Sequence, residues 1–151
     1  MKIFYSSSEE ETINFGRKIA SFLKPGNVIA LIGELGSGKT TFTKGVALGL
    51  GVKSADMVVS PSFVLLKEYK GKIPLYHFDL YRLDKIEQLE QLGYEEYFYG
   101  KGISLIEWAE RAEPLLPANY LKIQLFHRKI NERLIKISAV GLKFRDLVNK
   151  I

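Results

Sequence analysis

The chain contains no cysteine. Disulfides, thiolate metal ligands and cysteine nucleophiles are therefore excluded, and a reducing, cytoplasmic setting is the expectation. No apolar run approaches the ~20 residues that a membrane-spanning helix requires, so no membrane association is expected. The opening Met1-Lys2-Ile3-Phe4-Tyr5, followed by three serines and three glutamates, lacks the apolar core of a secretory signal. Histidine is limited to His77 and His127. His127 has no acidic or histidine neighbour at metal-ligand spacing and reads as a surface strand residue.

Acidic residues are scarce at one end of the chain. Eight of the 22 Lys and Arg residues fall in 121–151, against only two of the 17 Asp and Glu. The net charge of +5 thus belongs to the C-terminal region, through Lys122, Arg128, Lys129, Arg133, Lys136, Lys143, Arg145 and Lys150. Basic residues alternating with apolar ones are what a half-exposed strand shows, so we read a solvated hairpin and tail. A footprint for nucleic acid or an acidic partner is the alternative. At 151 residues and 46% hydrophobic content, a single domain over 1–151 is expected, burying roughly two-thirds of its unfolded surface.

Against these absences stands one complete motif. Gly33-Glu34-Leu35-Gly36-Ser37-Gly38-Lys39-Thr40 has the form G-x-x-x-x-G-K-T. Backbone N–H groups of such a loop cradle phosphates, the lysine reaches the β- and γ-phosphates, and the threonine hydroxyl binds Mg²⁺. The motif needs a strand before it and a helix after it. Asn27–Ile32 is a short apolar run of the kind buried on both faces of a sheet. Thr41 to Leu50 carries Phe42, Val46 and Leu50 at helical spacing, weakened by Gly45 and Gly49, with Gly51 as a stop. A glycine-rich turn without a ligand is the alternative. A guanine-specific site would use an Asn-Lys-x-Asp segment, and the one Asn-Lys pair, Asn149-Lys150, is followed only by Ile151. ATP is therefore the default nucleotide.

Elsewhere, Lys2–Tyr5 reads as a strand. Ser8 and Glu11 have capping-box spacing and open a helix whose Ile13, Gly16, Ile19, Ala20 and Leu23 share a face, closed by Pro25-Gly26. Residues 52–62 read as a loop carrying Ser60-Pro61-Ser62. Phe63–Tyr69 and Ile73–Leu80 read as a hairpin turning at Lys70-Gly71-Lys72. Asp84 is placed to cap a helix running through Leu92, followed by a short helical piece over Glu95–Phe98. Ile103 to Trp108 reads as a strand, and Pro114 and Pro117 as a break. Tyr120–His127 and Arg133–Val140 read as a second hairpin turning at Lys129–Glu132, with Leu142–Lys150 as a terminal helix. The predicted fold is α/β, a P-loop NTPase-like mixed sheet flanked by helices and containing antiparallel hairpins.

Phosphoryl chemistry needs an acid for Mg²⁺ and a group that positions water. A carboxylate after an apolar strand is costly unless paired or metal-bound, and two fit: Glu107 after Ile103-Ser104-Leu105-Ile106, and Asp79 after Leu75 to Phe78. Ser62 is placed like a switch hydroxyl, or is a turn serine beside Pro61. His77 is either a general base or a packed strand residue. Arg82 either neutralises phosphate charge or pairs with Asp79. Trp108 packs near the nucleotide or in the core.

Together the loop Gly33 to Phe42, Ser60-Pro61-Ser62-Phe63, Tyr76-His77-Phe78-Asp79-Leu80-Tyr81-Arg82-Leu83 and Leu105-Ile106-Glu107-Trp108 closely resemble the TsaE (YjeE) family, from about Ser8 to Pro117. That family comprises small bacterial ATPases that support threonylcarbamoyladenosine modification of tRNA. The resemblance implies an ATP·Mg²⁺ site with Leu35, Gly36, Ser37, Gly38, Lys39, Thr40 and Thr41 around the phosphates and Trp108 close by. It implies Thr40 and Glu107 as Mg²⁺ ligands, and Lys39 and Asp79 as catalytic residues, Asp79 orienting or activating water. It also implies slow hydrolysis within a complex with TsaB and TsaD, which transfer the threonylcarbamoyl group to adenosine 37. The charge distribution, and not the resemblance, adds tRNA as a partner met indirectly or through the basic C-terminal region. The family has threonine where Ser62 stands, so the switch residue keeps its hydroxyl and loses a methyl that restricts its rotamer. A stand-alone small-molecule kinase using the same loop, and a nucleotide-sensing module without turnover, are the competing readings.

Overall fold

A computed structural model of the chain describes residues 1–151. The strands are β1 (Lys2–Ser6), β2 (Val28–Ile32), β3 (Leu66–Tyr69), β4 (Leu75–Asp79), β5 (Ile103–Glu107), β6 (Tyr120–Lys129) and β7 (Glu132–Val140). They lie in one sheet in the order β1-β7-β6-β2-β5-β4-β3. The helices are α1 (Glu9–Ala20), α2 (Lys39–Gly49), α3 (Glu87–Gln91), α4 (Tyr94–Phe98) and α5 (Arg145–Lys150). Strand β2 runs parallel to both neighbours, β5 and β6, and β4 joins β5 in parallel. The hairpins β3–β4 and β6–β7, and β1 against β7, are antiparallel. This is the expected mixed sheet. No helix is long and apolar enough to cross a membrane.

Strand β2 is apolar throughout because both of its faces are covered. Ile29 and Leu31 join Leu105 and Ile123 in a core under α1, α2 and α5. Val28 and Ala30 point the other way, with Ile106, into a core closed by Leu89 of α3, Phe98 of α4 and the 109–115 segment. The parallel strands therefore present their C-terminal ends along one edge of a layered structure, where open α/β sheets place their ligands.

Helix α1 starts as expected, with the Ser8 hydroxyl accepting from the Glu11 N–H at 3.0 Å. Glu11 in turn accepts from the Ser7 N–H at 2.7 Å, a bond that holds its carboxyl below the usual range. The buried face is Thr12, Phe15, Gly16, Ile19 and Ala20, while Ile13 is only half-buried. Two contacts fix this rotation. Phe15 stacks on Phe4 at 4.0 Å, and the α1 backbone lies on that of α2. A Cβ on Gly45 would overlap the Ile13 carbonyl, and one on Gly16 would sit 3.0 Å from Gly45 Cα. The glycine that weakens α2 in isolation is thus what admits α1.

Four local expectations are corrected. Helix α3 starts at Glu87, and Asp84 does not cap it; Gln88 Oε1 reaches back to the N–H groups of Asp84 and Lys85 at 2.9 and 3.1 Å. Strand β3 starts at Leu66 rather than Phe63, because the N–H groups of Val64 and Leu65 both turn onto the Pro61 carbonyl and Leu65 takes φ 66°. Strand β5 ends at Glu107, Trp108 takes φ 59°, and a 3₁₀ run over Ala109–Leu115 occupies the stretch read as a proline break, with Pro114 inside it. The hairpin β6–β7 is longer than expected and turns at Ile130 and Asn131.

Candidate functional site

The site is built where β2 ends. Gly33–Gly38 carry the chain from Ile32 to α2, and Gly38, at φ 103°, precedes the helix without any side-chain cap. The first-turn N–H groups of α2 are left for an anion. Lys39 opens the helix and is buried. Its ammonium donates to the carbonyls of Gly33 at 2.5 Å and Glu34 at 2.8 Å, and lies 4.2 Å from the centre of the Trp108 ring. Burial pushes its amine below the ordinary lysine value, while the carboxylates of Glu107, Glu110 and Asp79 pull the other way.

Register brings the two acids together: Asp79 of β4 is the partner of Glu107 of β5, and both are buried. Glu107 accepts from the Thr40 hydroxyl at 3.1 and 3.2 Å, from Thr43 at 3.2 Å and from His77 Nε2 at 2.8 Å. The other ring nitrogen of His77, Nδ1, is buried without a hydrogen-bond partner. Asp79 accepts from the Tyr81 N–H at 2.9 Å and from the Ser60 hydroxyl. The two carboxylates thus have separate retinues. Glu107 is tied to α2, and Asp79 to the loops on either side of the β3–β4 hairpin.

A cavity of about 410 Å³ gathers the other expected residues. Leu35, Gly36, Gly38, Thr40 and Thr41 line it from the loop and helix, and Ser60, Ser62, Tyr81 and Trp108 from across it. Ser37 is buried inside the loop. His77 is a packed strand residue, bonded to Glu107 rather than facing the cavity. Arg82 does not pair with Asp79; its guanidinium lies 4.2 Å over the ring of Phe63. Ser62 lines the cavity, but the hydroxyl on Asp79 is that of Ser60. Thr43 and Arg133 are functional candidates that the sequence did not offer. Thr43 falls three residues after Thr40, so both hydroxyls lie on the face of α2 that looks at Glu107. Arg133 reaches the cavity from β7. His127 is exposed on β6.

No three His, Asp or Glu side chains converge to form a metal cage. The facing of the Thr40 hydroxyl and the Glu107 carboxylate suits Mg²⁺ all the same. That ion takes one or two protein oxygens and fills its other positions from water and substrate phosphates. A second cavity of about 590 Å³ adjoins the first through Leu35, Tyr81 and Trp108 and extends to Gln124–His127 of β6.

A central parallel strand delivering a glycine-rich loop to a helix N-terminus, with a buried acid on the neighbouring strand, defines a P-loop NTPase-like α/β fold. The family model described as Threonylcarbamoyl adenosine biosynthesis protein TsaE matches residues 6–135, and the chain belongs to that family. It is 45% identical over 143 residues to the tRNA threonylcarbamoyladenosine biosynthesis protein TsaE of Bacillus subtilis, covering 94% of this chain and 88% of the relative. The protein of the same name from Treponema pallidum is 42% identical over 120 residues, 80% of this chain and 87% of the relative. Among solved structures, Bacillus subtilis YdiB superposes with a TM-score of 0.81 at 39% identity, covering 99% of this chain and 92% of that one.

Proposed function

We propose that this protein is a slowly hydrolysing, Mg²⁺-dependent ATPase subunit that supports threonylcarbamoylation of tRNA adenosine 37 in the cytoplasm, acting with TsaB and TsaD. The observation that carries the reading is the pairing of Thr40 with Glu107 at the foot of the glycine-rich loop. A buried carboxylate held against the hydroxyl that opens α2 is the arrangement a phosphate-bound Mg²⁺ needs. Lys39 and the free N–H groups of α2 hold the phosphates, and Thr40 and Glu107 would hold Mg²⁺, which would supply charge neutralisation there. Binding requires the Lys39 ammonium to exchange the Gly33 and Glu34 carbonyls for phosphate oxygens. Asp79, fixed from both sides, orients the attacking water. The second cavity, walled by Trp108 and Phe126, suits a nucleoside. The partners deliver the output to tRNA, with the basic C-terminal region as a further contact.

Trp108 is the only tryptophan, and Lys39 lies over its ring, so intrinsic fluorescence reports on the site directly. Titration with MgATP is expected to change that fluorescence saturably, with GTP competing weakly and Lys39→Ala losing the response. No saturable change, together with no ATP retained in equilibrium dialysis, would overturn the nucleotide reading.

A further inference from the structure

Arg133 stands near the start of β7, opposite His127 of β6 and Ser6 of β1. This register lays its side chain against the glycine-rich loop. A Cβ on Gly38 would sit 2.7 Å from Arg133 Cδ and overlap its Nε, so the guanidinium rests on the residue immediately before Lys39. Its charge has no partner there. Nε is buried without a hydrogen bond, and the head group's one bond is a 3.5 Å contact from Nη1 to the Asn131 carbonyl of its own hairpin. The only ion-pair contact in the chain is His77–Glu107. The two acids of the cavity are committed elsewhere, Asp79 to Ser60 and Tyr81 and Glu107 to Thr40, Thr43 and His77.

Arg133 is half-buried, and a guanidinium N–H withdrawn from water without an acceptor is costly. The guanidinium faces a cavity whose other cations, Lys39 and Arg82, also lack a carboxylate at ion-pair distance. The geometry points to Arg133 as a phosphate-binding residue, an arginine supplied in cis by the C-terminal hairpin to the phosphate chain of the bound nucleotide. Its planar fork of donors matches phosphate oxygens. The basic C-terminal stretch is then not one surface. Arg133 belongs to the loop end of the sheet, whereas Lys143 and Lys150 border a cavity with Lys24 and Asn27 at the opposite end. The inference rests on the proposed nucleotide site and adds to it a residue outside the loop motif.

Calorimetric titration of the full chain with MgATP tests it. Arg133→Met keeps a long stem over Gly38 and should leave the melting temperature unchanged. It is expected to weaken MgATP binding about 10-fold or more, the loss typical of a bond to a charged group. Arg133→Lys should recover only part of that loss. In Arg133→Ala, added guanidinium ion should restore affinity, which a role limited to packing on Gly38 would not produce. Should Arg133→Met fail to fold, the Arg133→Ala rescue carries the test. Wild-type binding matched by the Met variant, or no rescue of the Ala variant, overturns the role of Arg133 alone. A wild-type chain that does not bind MgATP overturns the nucleotide site itself.

Discussion

Asp79→Asn is expected to lower steady-state ATP hydrolysis by about 10²-fold or more, the scale of a lost proton acceptor, while MgATP affinity changes only a few-fold. The carboxylate is buried at the end of β4, and each oxygen already has a donor: the Tyr81 N–H on Oδ1 and the Ser60 hydroxyl on Oδ2. This double tether fixes its direction at the cavity wall, as a group that orients water must be fixed. Asparagine preserves the shape but cannot take a proton, and its NH₂ faces one of those two donors. The serine hydroxyl can rotate to accept, so the fold survives while the chemistry is lost. Single-turnover hydrolysis alongside equilibrium binding checks this. Intact hydrolysis with lost binding would mean that Asp79 serves the metal and that the roles of the two acids are exchanged.

Glu107→Gln should do the opposite. MgATP affinity is expected to fall at least about tenfold, a scale familiar from altered metal sites, while ATP affinity without Mg²⁺ changes little. Glu107 is met by two threonine hydroxyls and His77 Nε2, and each can adapt to an amide. With the amide oxygen in the Oε1 position the bonds from His77 and Thr43 are kept, and the Thr40 hydroxyl can rotate to accept from the NH₂ in the Oε2 position. Folding therefore tolerates the change, and what is lost is the negative charge beside Thr40 that a divalent cation requires. Binding isotherms with and without Mg²⁺ separate the two effects. An equal loss in both would make Glu107 an organiser of α2 rather than a metal ligand.

These two acids were legible in the sequence because their signal is local, a carboxylate closing an apolar strand. So was the glycine-rich loop with its strand and helix. The partnership of the acids was not legible, since it depends on β4 and β5 lying side by side in parallel, and hairpin spacing reports only antiparallel neighbours. Ser60 and Ser62 flank the same proline, and their spacing gives no sign that it is the Ser60 hydroxyl that meets Asp79. Arg133 looked like one more basic residue on a solvated strand. Only the placement of β6 beside β2 carries the β6–β7 hairpin to Gly38. The start of α3 was misplaced for a different reason. Asp84 is a good cap by residue type, but the chain before α3 is held the other way round, with Gln88 accepting from the N–H groups of Asp84 and Lys85.

In the proposed function, ATP turnover at the Thr40–Glu107–Asp79 site serves partner proteins rather than a small substrate. Phosphate release from ATP, measured in steady state for the protein alone and then with TsaB and TsaD, tests it most directly. Slow release alone, with a rate that changes when both partners are added, is the expected result. A rate indifferent to the partners, combined with rapid phosphoryl transfer to a metabolite, would contradict it.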